Sequence, residues 1–505
     1  MPKGRLSDLL SRQKLLLLLS LAIGFALRAW DLPGQSLSAD EVWELQHIKR
    51  GLAAADGFPP LYNLLLIGWL TLFPGAVSAR WLSVLFGLLC VCFGWLLGRR
   101  LGGDSVGVWT ALFLAVSPLH VWYSQDGRMY TLYVLLAAIT LWALVRAMEG
   151  DSPRDWILFT AAAAAGMYVH YYFAIVVLVA AIIILTQRGH RRLAKPIAAY
   201  AAIAALCLPL LWLISKDFGL QAETTYAYRG GLGGLGYTYV SFLTGYTLGP
   251  SLRELHTMTM GQAFVGFLPW LALLALPLAV LSYHAVKVLN SKTLVWLGLL
   301  IVAPVAIAGI LGMVTGVGYH VRYVVWVIVP VAVLLGAGAS RWRRWPVAIA
   351  VIILFGVFVV AVVNRRYSER YRDEDMRAVS IYLRSQPDIT PIFVLPHYMA
   401  RPVWYYLGNE RAVYALQGSA LDSAGVLQDL DFIDSLTPAG QSYWLVYSRE
   451  FHGDPLGSVR DTLEQRDGLN AMARFAGVVL YRGTRRGKVS HDSPEVTRRP
   501  KRSTS

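Results

Sequence analysis

Four short stretches of this chain collect residue types that do chemistry. In Ser38-Ala39-Asp40-Glu41-Val42-Trp43, two adjacent carboxylates precede apolar and aromatic residues. A carboxylate whose surroundings are dried in this way suits general-base work; the alternative is two solvated acids on a polar loop. The second stretch runs from Ser117-Pro118-Leu119-His120 through Tyr123-Ser124-Gln125-Asp126-Gly127-Arg128-Met129-Tyr130. It holds an acid, an amide and a guanidinium among aromatic rings. The competing reading is an aromatic belt at a membrane boundary, with Asp126 capping a helix and Arg128 snorkelling. The third is Tyr168-Val169-His170-Tyr171-Tyr172, where His170 is either a ligand or a structural hydrogen-bonder. The fourth is Gly318-Tyr319-His320-Val321-Arg322-Tyr323. A planar guanidinium such as Arg322 suits a phosphate, and a lipid-headgroup anchor is the alternative.

What must position these residues is a set of membrane spans. The chain has 505 residues, of which 56% are hydrophobic and 15% charged, against roughly 45–50% and about 25% in ordinary soluble domains. That excludes a disordered protein, a coiled coil and a soluble enzyme, and predicts a polytopic α-helical membrane protein. Runs of about 17–25 residues occur at 14–30, 80–98, 105–123, 130–148, 155–170, 171–187, 196–215, 262–284, 294–315, 322–340 and 345–363. The segment 58–74 is apolar but short, and proline brackets it. Laying it flat on the surface puts Arg99/Arg100, Arg188/Arg191/Arg192, Lys287/Lys292 and Arg341/Arg343/Arg344 on the same side as the basic N-terminus. Positive-inside bias favours that arrangement, so the expectation is about eleven spans with the four chemical stretches at the external boundary.

The formal net charge of +15 sits mainly in those internal loops and in the last stretch, so it marks topology and predicts no nucleic-acid partner. The expected organisation is a transmembrane domain over 1–363 with external loops 31–79 and 216–261. A small external α/β domain follows over 364–483, then a basic disordered tail over 484–505. Within the α/β domain, 373–385 and 457–466 read as helices and 391–395, 442–447 and 476–482 as strands. Cys90, Cys92 and Cys207 lie in apolar runs and staple nothing. There is no Gly-rich phosphate loop, nucleotide motif or Cys/His zinc spacing. An external site has no access to nucleotide sugars, so an activated donor would arrive in lipid.

At this point the chain resembles a known family, the polyprenyl-phosphate-sugar-dependent membrane glycosyltransferases of the C superfamily, which include protein O-mannosyltransferases and lipid A aminoarabinose transferases. The matching pieces, in order, are Asp40-Glu41; Pro59-Pro60-Leu61-Tyr62; Ala79-Arg80-Trp81-Leu82; Leu97-Gly98-Arg99-Arg100-Leu101; Ser117-Pro118-Leu119 through Tyr130; Tyr168-Val169-His170-Tyr171; Gly245-Tyr246-Thr247-Leu248-Gly249-Pro250-Ser251; and Arg322-Tyr323. They cover about residues 10–340. One departure is Gln125-Asp126-Gly127-Arg128, where the family usually has Gln-Glu-Ala-Arg.

The resemblance implies a conserved seven-span module in the inner (cytoplasmic) membrane. Its activity would be inverting transfer from a polyprenyl-phosphate sugar to a lipid, glycan or protein hydroxyl on the external face. Asp40 stands where the family keeps its catalytic aspartate, with Glu41 orienting it and Asp126 a further acid. Arg128, Arg322 and His170 would take up the phosphate charge; Gln125, Tyr130, Tyr171 and Tyr323 would line the substrate. A divalent metal is left open, with Asp126 and His170 as its candidate ligands. The competing classes are a polysaccharide polymerase or ligase and a lipid-linked sugar transporter.

Overall fold

The computed structural model describes residues 3–49, 58–187, 193–217, 232–315, 318–418 and 423–486. The chain divides into two compact units, Met1–Asp373 and Glu374–Ser505. Part of the expected loop 216–261 and most of the expected tail lie outside the described residues.

The first unit is helical, and the chain is a multi-pass membrane protein. Among the described residues seven helices are long and apolar enough to cross a bilayer. They include α4 (Ala76–Gly102), α7 (Tyr130–Gly150) and α16 (Trp345–Tyr367). The expected run 14–30 forms most of α1 (Lys3–Ala29). Runs 155–170 and 171–187 form α8 (Pro153–Met167) and α9 (Phe173–Gln187), of 15 residues each. At about 1.5 Å per residue these two fall short of a hydrocarbon core about 30 Å thick. The segment read as a surface helix is α3 (Leu61–Leu72), also too short to cross. Its Leu64, Leu65 and Leu72 are exposed. Tyr62, in its first turn, is fully buried.

The run 105–123 is not one straight span. It is α5 (Asp104–Val116) and α6 (Pro118–Ser124), bent by 59°. Pro118 at the first position of α6 has no N–H to continue the ladder. The carbonyls freed at the break are taken by Arg28, at the end of α1. Its Nη1 donates to Ala115 at 2.7 Å and its Nη2 to Leu114 at 3.1 Å. Arg28 Nε donates to Ser124 Oγ at 3.0 Å, and Nη2 meets His120 Nδ1 at 2.8 Å. So a fully buried arginine replaces the hydrogen bonds that the proline removes.

The second unit carries a five-stranded sheet, ordered β2-β1-β3-β5-β4. Strands β1 (Ile392–Leu395), β2 (Val413–Ala415) and β3 (Ser442–Ser448) are parallel. Strands β4 (Asn470–Phe475) and β5 (Val478–Thr484) run antiparallel at one side. The parallel part is buried on both faces, as crossover helices require, and reads Ile392-Phe393-Val394-Leu395 without alternation. Its core joins Phe393, Leu445, Tyr443, Ile433 and Leu463.

Candidate active site

The four stretches meet at one end of the helical unit, where α1 finishes, α7 begins and α8 turns into α9. The first of them is a helix, α2 (Ala39–Lys49). Ser38 Oγ accepts the Glu41 N–H and Glu41 Oε2 accepts the Ser38 N–H, the reciprocal pairing of a capping box.

Helix α2 presents its acids to different partners. Glu41 is buried and accepts Nε and Nη2 of Arg80, each at 2.7 Å, and the Gly127 N–H at 2.9 Å. With Ser38 these bonds use both carboxylate oxygens twice. Burial opposes charge on Glu41, but Arg80 and the bonds from Ser38 and Gly127 outweigh it and hold the carboxyl below the usual range. Arg80 also donates to the carbonyls of Leu32, Gln35 and Ser36, so one side chain gathers the whole approach to α2. Gly127 packs against this carboxylate: a Cβ there would stand 3.3 Å from Glu41 Oε1 and 3.2 Å from Ala79 Cβ.

Glu44, one turn beyond Asp40, is also buried and meets Arg128 Nη1 at 2.9 Å. Arg128 Nη1 donates as well to the Asp40 carbonyl at 3.0 Å. Burial works against the Arg128 charge, but Glu44 and then Asp40 outweigh it and drive its pKa up. Arg128 is thus committed to the Asp40 carbonyl and to Glu44.

Asp126 lies in the turn between α6 and α7 and does not cap α7, whose N-cap is Met129. Its Oδ1 is buried with no hydrogen-bond partner among the described residues. Burial first, then the neighbouring Glu41 and Asp40, pushes its carboxyl well above the usual range, with Arg128 and Arg80 offsetting only part. Gln125 points the other way: its Nε2 donates to the carbonyls of Leu27 and Arg28, closing the end of α1.

Asp40 is different. Its side chain is 59% exposed, and Oδ2 lies 3.6 Å from Nη1 of Arg322, itself 34% exposed. Arg322 enters from a 3₁₀ segment (Val321–Val327), and the His320 ring accepts its backbone N–H. Aromatic rings line this edge. Tyr172 stacks on Tyr323 at 4.1 Å, Tyr133 stacks on His170 at 4.9 Å, and Tyr123 packs on Tyr130 at 4.9 Å. Tyr133 Oη donates to the Tyr323 carbonyl, locking the 3₁₀ segment to α7. Of the two tyrosines after His170, it is Tyr172 that reaches Tyr323; Tyr171 is half-buried beside it.

Burial, with the Arg322 and Arg128 cations nearby, lowers His170 to about 3. Burial thus works against a positive charge on this ring. Among the described residues no group of three His, Cys, Asp or Glu is placed to hold a metal.

Sequence reasoning missed Arg80, Glu44, Tyr62 and Tyr172 as members of this site. Glu44 and Tyr62 had signals. Ser38-x-x-Glu41 is a capping box, which starts a helix and places Glu44 on the Asp40 face. Pro59-Pro60 starts α3 with Tyr62 in its first turn. Tyr172 had no signal that separated it from Tyr171.

Residues 58–214 match the family described as dolichyl-phosphate-mannose-protein mannosyltransferase. No curated protein sequence matches the chain. Among solved structures, ArnT from Cupriavidus metallidurans in the apo state aligns with a TM-score of 0.57 at 14% identity, over 95% of this chain and 98% of that one. The same protein bound to undecaprenyl phosphate aligns at 0.50. The apo oligosaccharyltransferase of Archaeoglobus fulgidus aligns at 0.56 and 11% identity, over 90% of this chain and 70% of that one. The resemblance drawn from the sequence is borne out by the family match and by this shared fold.

Proposed function

We propose that the chain transfers a sugar from a polyprenyl-phosphate-linked donor to an acceptor hydroxyl, with inversion, at the external face of the membrane. The observation that carries this reading is the Asp40–Arg322 pair. Glu41 and Glu44 are buried and committed to Arg80 and Arg128, whereas Asp40 and Arg322 face solvent side by side. That is the pair of groups the reaction needs.

A polyprenyl phosphate is a good leaving group and needs a cation to receive its charge, not an acid to protonate it. In the proposed sequence the donor phosphate takes Arg322 from Asp40 and leaves the carboxylate without its cation. Asp40 then accepts the acceptor hydroxyl proton as the oxygen attacks the anomeric carbon, and the carbon–oxygen bond to phosphate breaks. The electron pair of that bond leaves on the polyprenyl phosphate, held by Arg322. Glu41, Arg80, Glu44 and Arg128 fix α2 so that Asp40 stays at the reacting centre. Tyr172 and Tyr323 offer ring faces beside it for a sugar, with Tyr130 and His170 behind. The external face is favoured by the distribution of arginines and lysines along the chain.

The test is sugar transfer by the purified chain from polyprenyl-phosphate sugars, with donor binding measured in parallel. Asp40→Asn should lose about 10²–10⁴-fold in rate with donor binding retained. Normal turnover in that variant removes Asp40 from the chemistry.

A further inference from the structure

Among the described residues, Arg365 has two guanidinium nitrogens without the acceptors its burial demands. Arg365, in the last turn of α16, is 6% exposed. Its Nη2 donates to Gln35 Oε1 at 3.2 Å, but Nε and Nη1 are sealed from solvent and have no partner among the described residues. The guanidinium carbon lies 3.6 Å from the centre of the Trp122 ring. An indole face supports the charge yet accepts neither N–H in their own plane. The next residue, Arg366, is by contrast engaged with the Asp31 carboxylate and the carbonyls of Trp30 and Asp31. Two unpartnered nitrogens on a buried charge are strongly unfavourable, and such an exception calls for a physical reason.

The position supplies one. Trp122 and Tyr123 are neighbours on α6, and Tyr246 touches both: its ring meets Trp122 edge-on at 5.4 Å and its hydroxyl bonds that of Tyr123 at 2.8 Å. Tyr123 feels the charge of Arg322, while Arg365 lies on Trp122. The two arginines thus flank one aromatic wall. Arg80, Arg366, Asp126 and Asp373 are the other charges near Arg365, and Glu41 and Asp31 already bind the first two.

We propose that Arg365 binds a phosphate-class oxyanion, at a subsite separated from the Asp40–Arg322 pair by the Trp122–Tyr123–Tyr246 wall. Nε and Nη2 share one edge of the guanidinium, so an oxyanion that displaces the Gln35 carboxamide meets two donors at once. Two sources fit this chemistry: the phosphate of the donor lipid, or a phosphate on the acceptor. The proposal deepens the transferase reading, but its test needs no turnover, so either can fail without the other.

The experiment uses the full-length chain in detergent, with Arg365→Met and Arg365→Lys. Thermal melting is recorded with and without inorganic phosphate, and binding of undecaprenyl phosphate is compared with undecaprenol. Arg365→Met should melt no lower than wild type, because the unmet buried charge is gone, and should lose the stabilisation by inorganic phosphate. Arg365→Lys should keep part of it. A tenfold or greater loss of undecaprenyl phosphate binding in Arg365→Met identifies the donor as the source. Unchanged lipid binding, with stabilisation by inorganic phosphate lost even at saturating lipid phosphate, identifies the acceptor side. The proposal is overturned if neither probe stabilises wild type, or if Arg365→Met melts several degrees lower and responds to both probes like wild type. Sugar transfer lost in Arg365→Met with both binding arms normal would likewise remove the subsite and leave the transferase reading standing.

Discussion

Asp40 and Glu41 are consecutive residues on one helix, and the protein treats them in opposite ways. Glu41 is enclosed by four donated hydrogen bonds and shares its charge with Arg80. Asp40 stands in solvent with Arg322 at 3.6 Å, outside hydrogen-bond distance. The same chemistry, a carboxylate beside a guanidinium, serves as a fastening in one case and as an available acid–cation pair in the other. Burial decides which. A fully bonded carboxylate has no lone pair left for a proton, whereas a solvated one can exchange its partner for a substrate.

The contrast can be broken most severely from the inside. Glu41→Ala leaves Arg80 buried with its charge uncompensated, and should cost about 3–5 kcal/mol of stability. It would be read as a large drop in melting temperature of the detergent-solubilised chain. An Asp40→Ala control, at an exposed position, should melt within a degree or two of wild type. Equal losses in the two variants would erase the distinction.

Acid should act on the buried side next. Burial and the adjacent arginines lower His170 to about 3, and burial and Arg322 lower His320 equally, from an unfolded value near 6.5. Between those values the unfolded chain binds the extra proton, so stability falls as pH drops below about 6.5. Each ring contributes on the order of 2 kcal/mol by pH 5. Glu41, with its carboxyl held below the usual range, adds stability that is present above that range and lost only at still lower pH. His170→Gln should flatten the melting-temperature slope between pH 7.5 and 5. An unaltered slope would mean that His170 is not held neutral.

On the exposed side, Arg322→Lys keeps the charge but not the planar fork. It should weaken undecaprenyl phosphate binding by about tenfold, roughly 1.4 kcal/mol, and leave melting unchanged. Wild-type affinity would return Arg322 to the role of a headgroup anchor. The smallest effect belongs to pairs that are merely solvated. Arg100 and Glu149 meet at 2.6 Å but are each more than 40% exposed, and Glu149→Gln should shift stability by no more than about 0.5 kcal/mol.

Much of this fold could be read from the sequence, because apolar runs and positive clusters are strong, local signals. Helix α3 was recognisably too short to cross. In the second unit the β1, β3 and β5 strands were legible from runs such as Ile392–Leu395. Strands β2 and β4 were not: Val413-Tyr414-Ala415 is too short to show a period, and Asn470–Phe475 is mostly exposed. The 59° break after Val116 was marked only by Pro118, and its stabilisation by Arg28 depends on contacts across 86 and 87 positions of sequence.

The candidate site was legible by residue type but not by partnership. Asp40, Asp126, Arg128 and Arg322 do converge, yet nothing local revealed that Arg128 faces Glu44 or that Gln125 closes α1. Such pairings are set by which helix ends meet, and one sequence carries no signal for that.

Arg28 also has a consequence in time. The carbonyls it holds belong to residues synthesised 86 and 87 positions after it. At about 5–20 residues per second, α1 waits several seconds or more before its arginine has anything to bind. A guanidinium one residue from the end of the helix is within reach of the bilayer surface, where an arginine without partners keeps its hydration. The first helix of the chain therefore cannot settle into its final position until the break in the later span has been made.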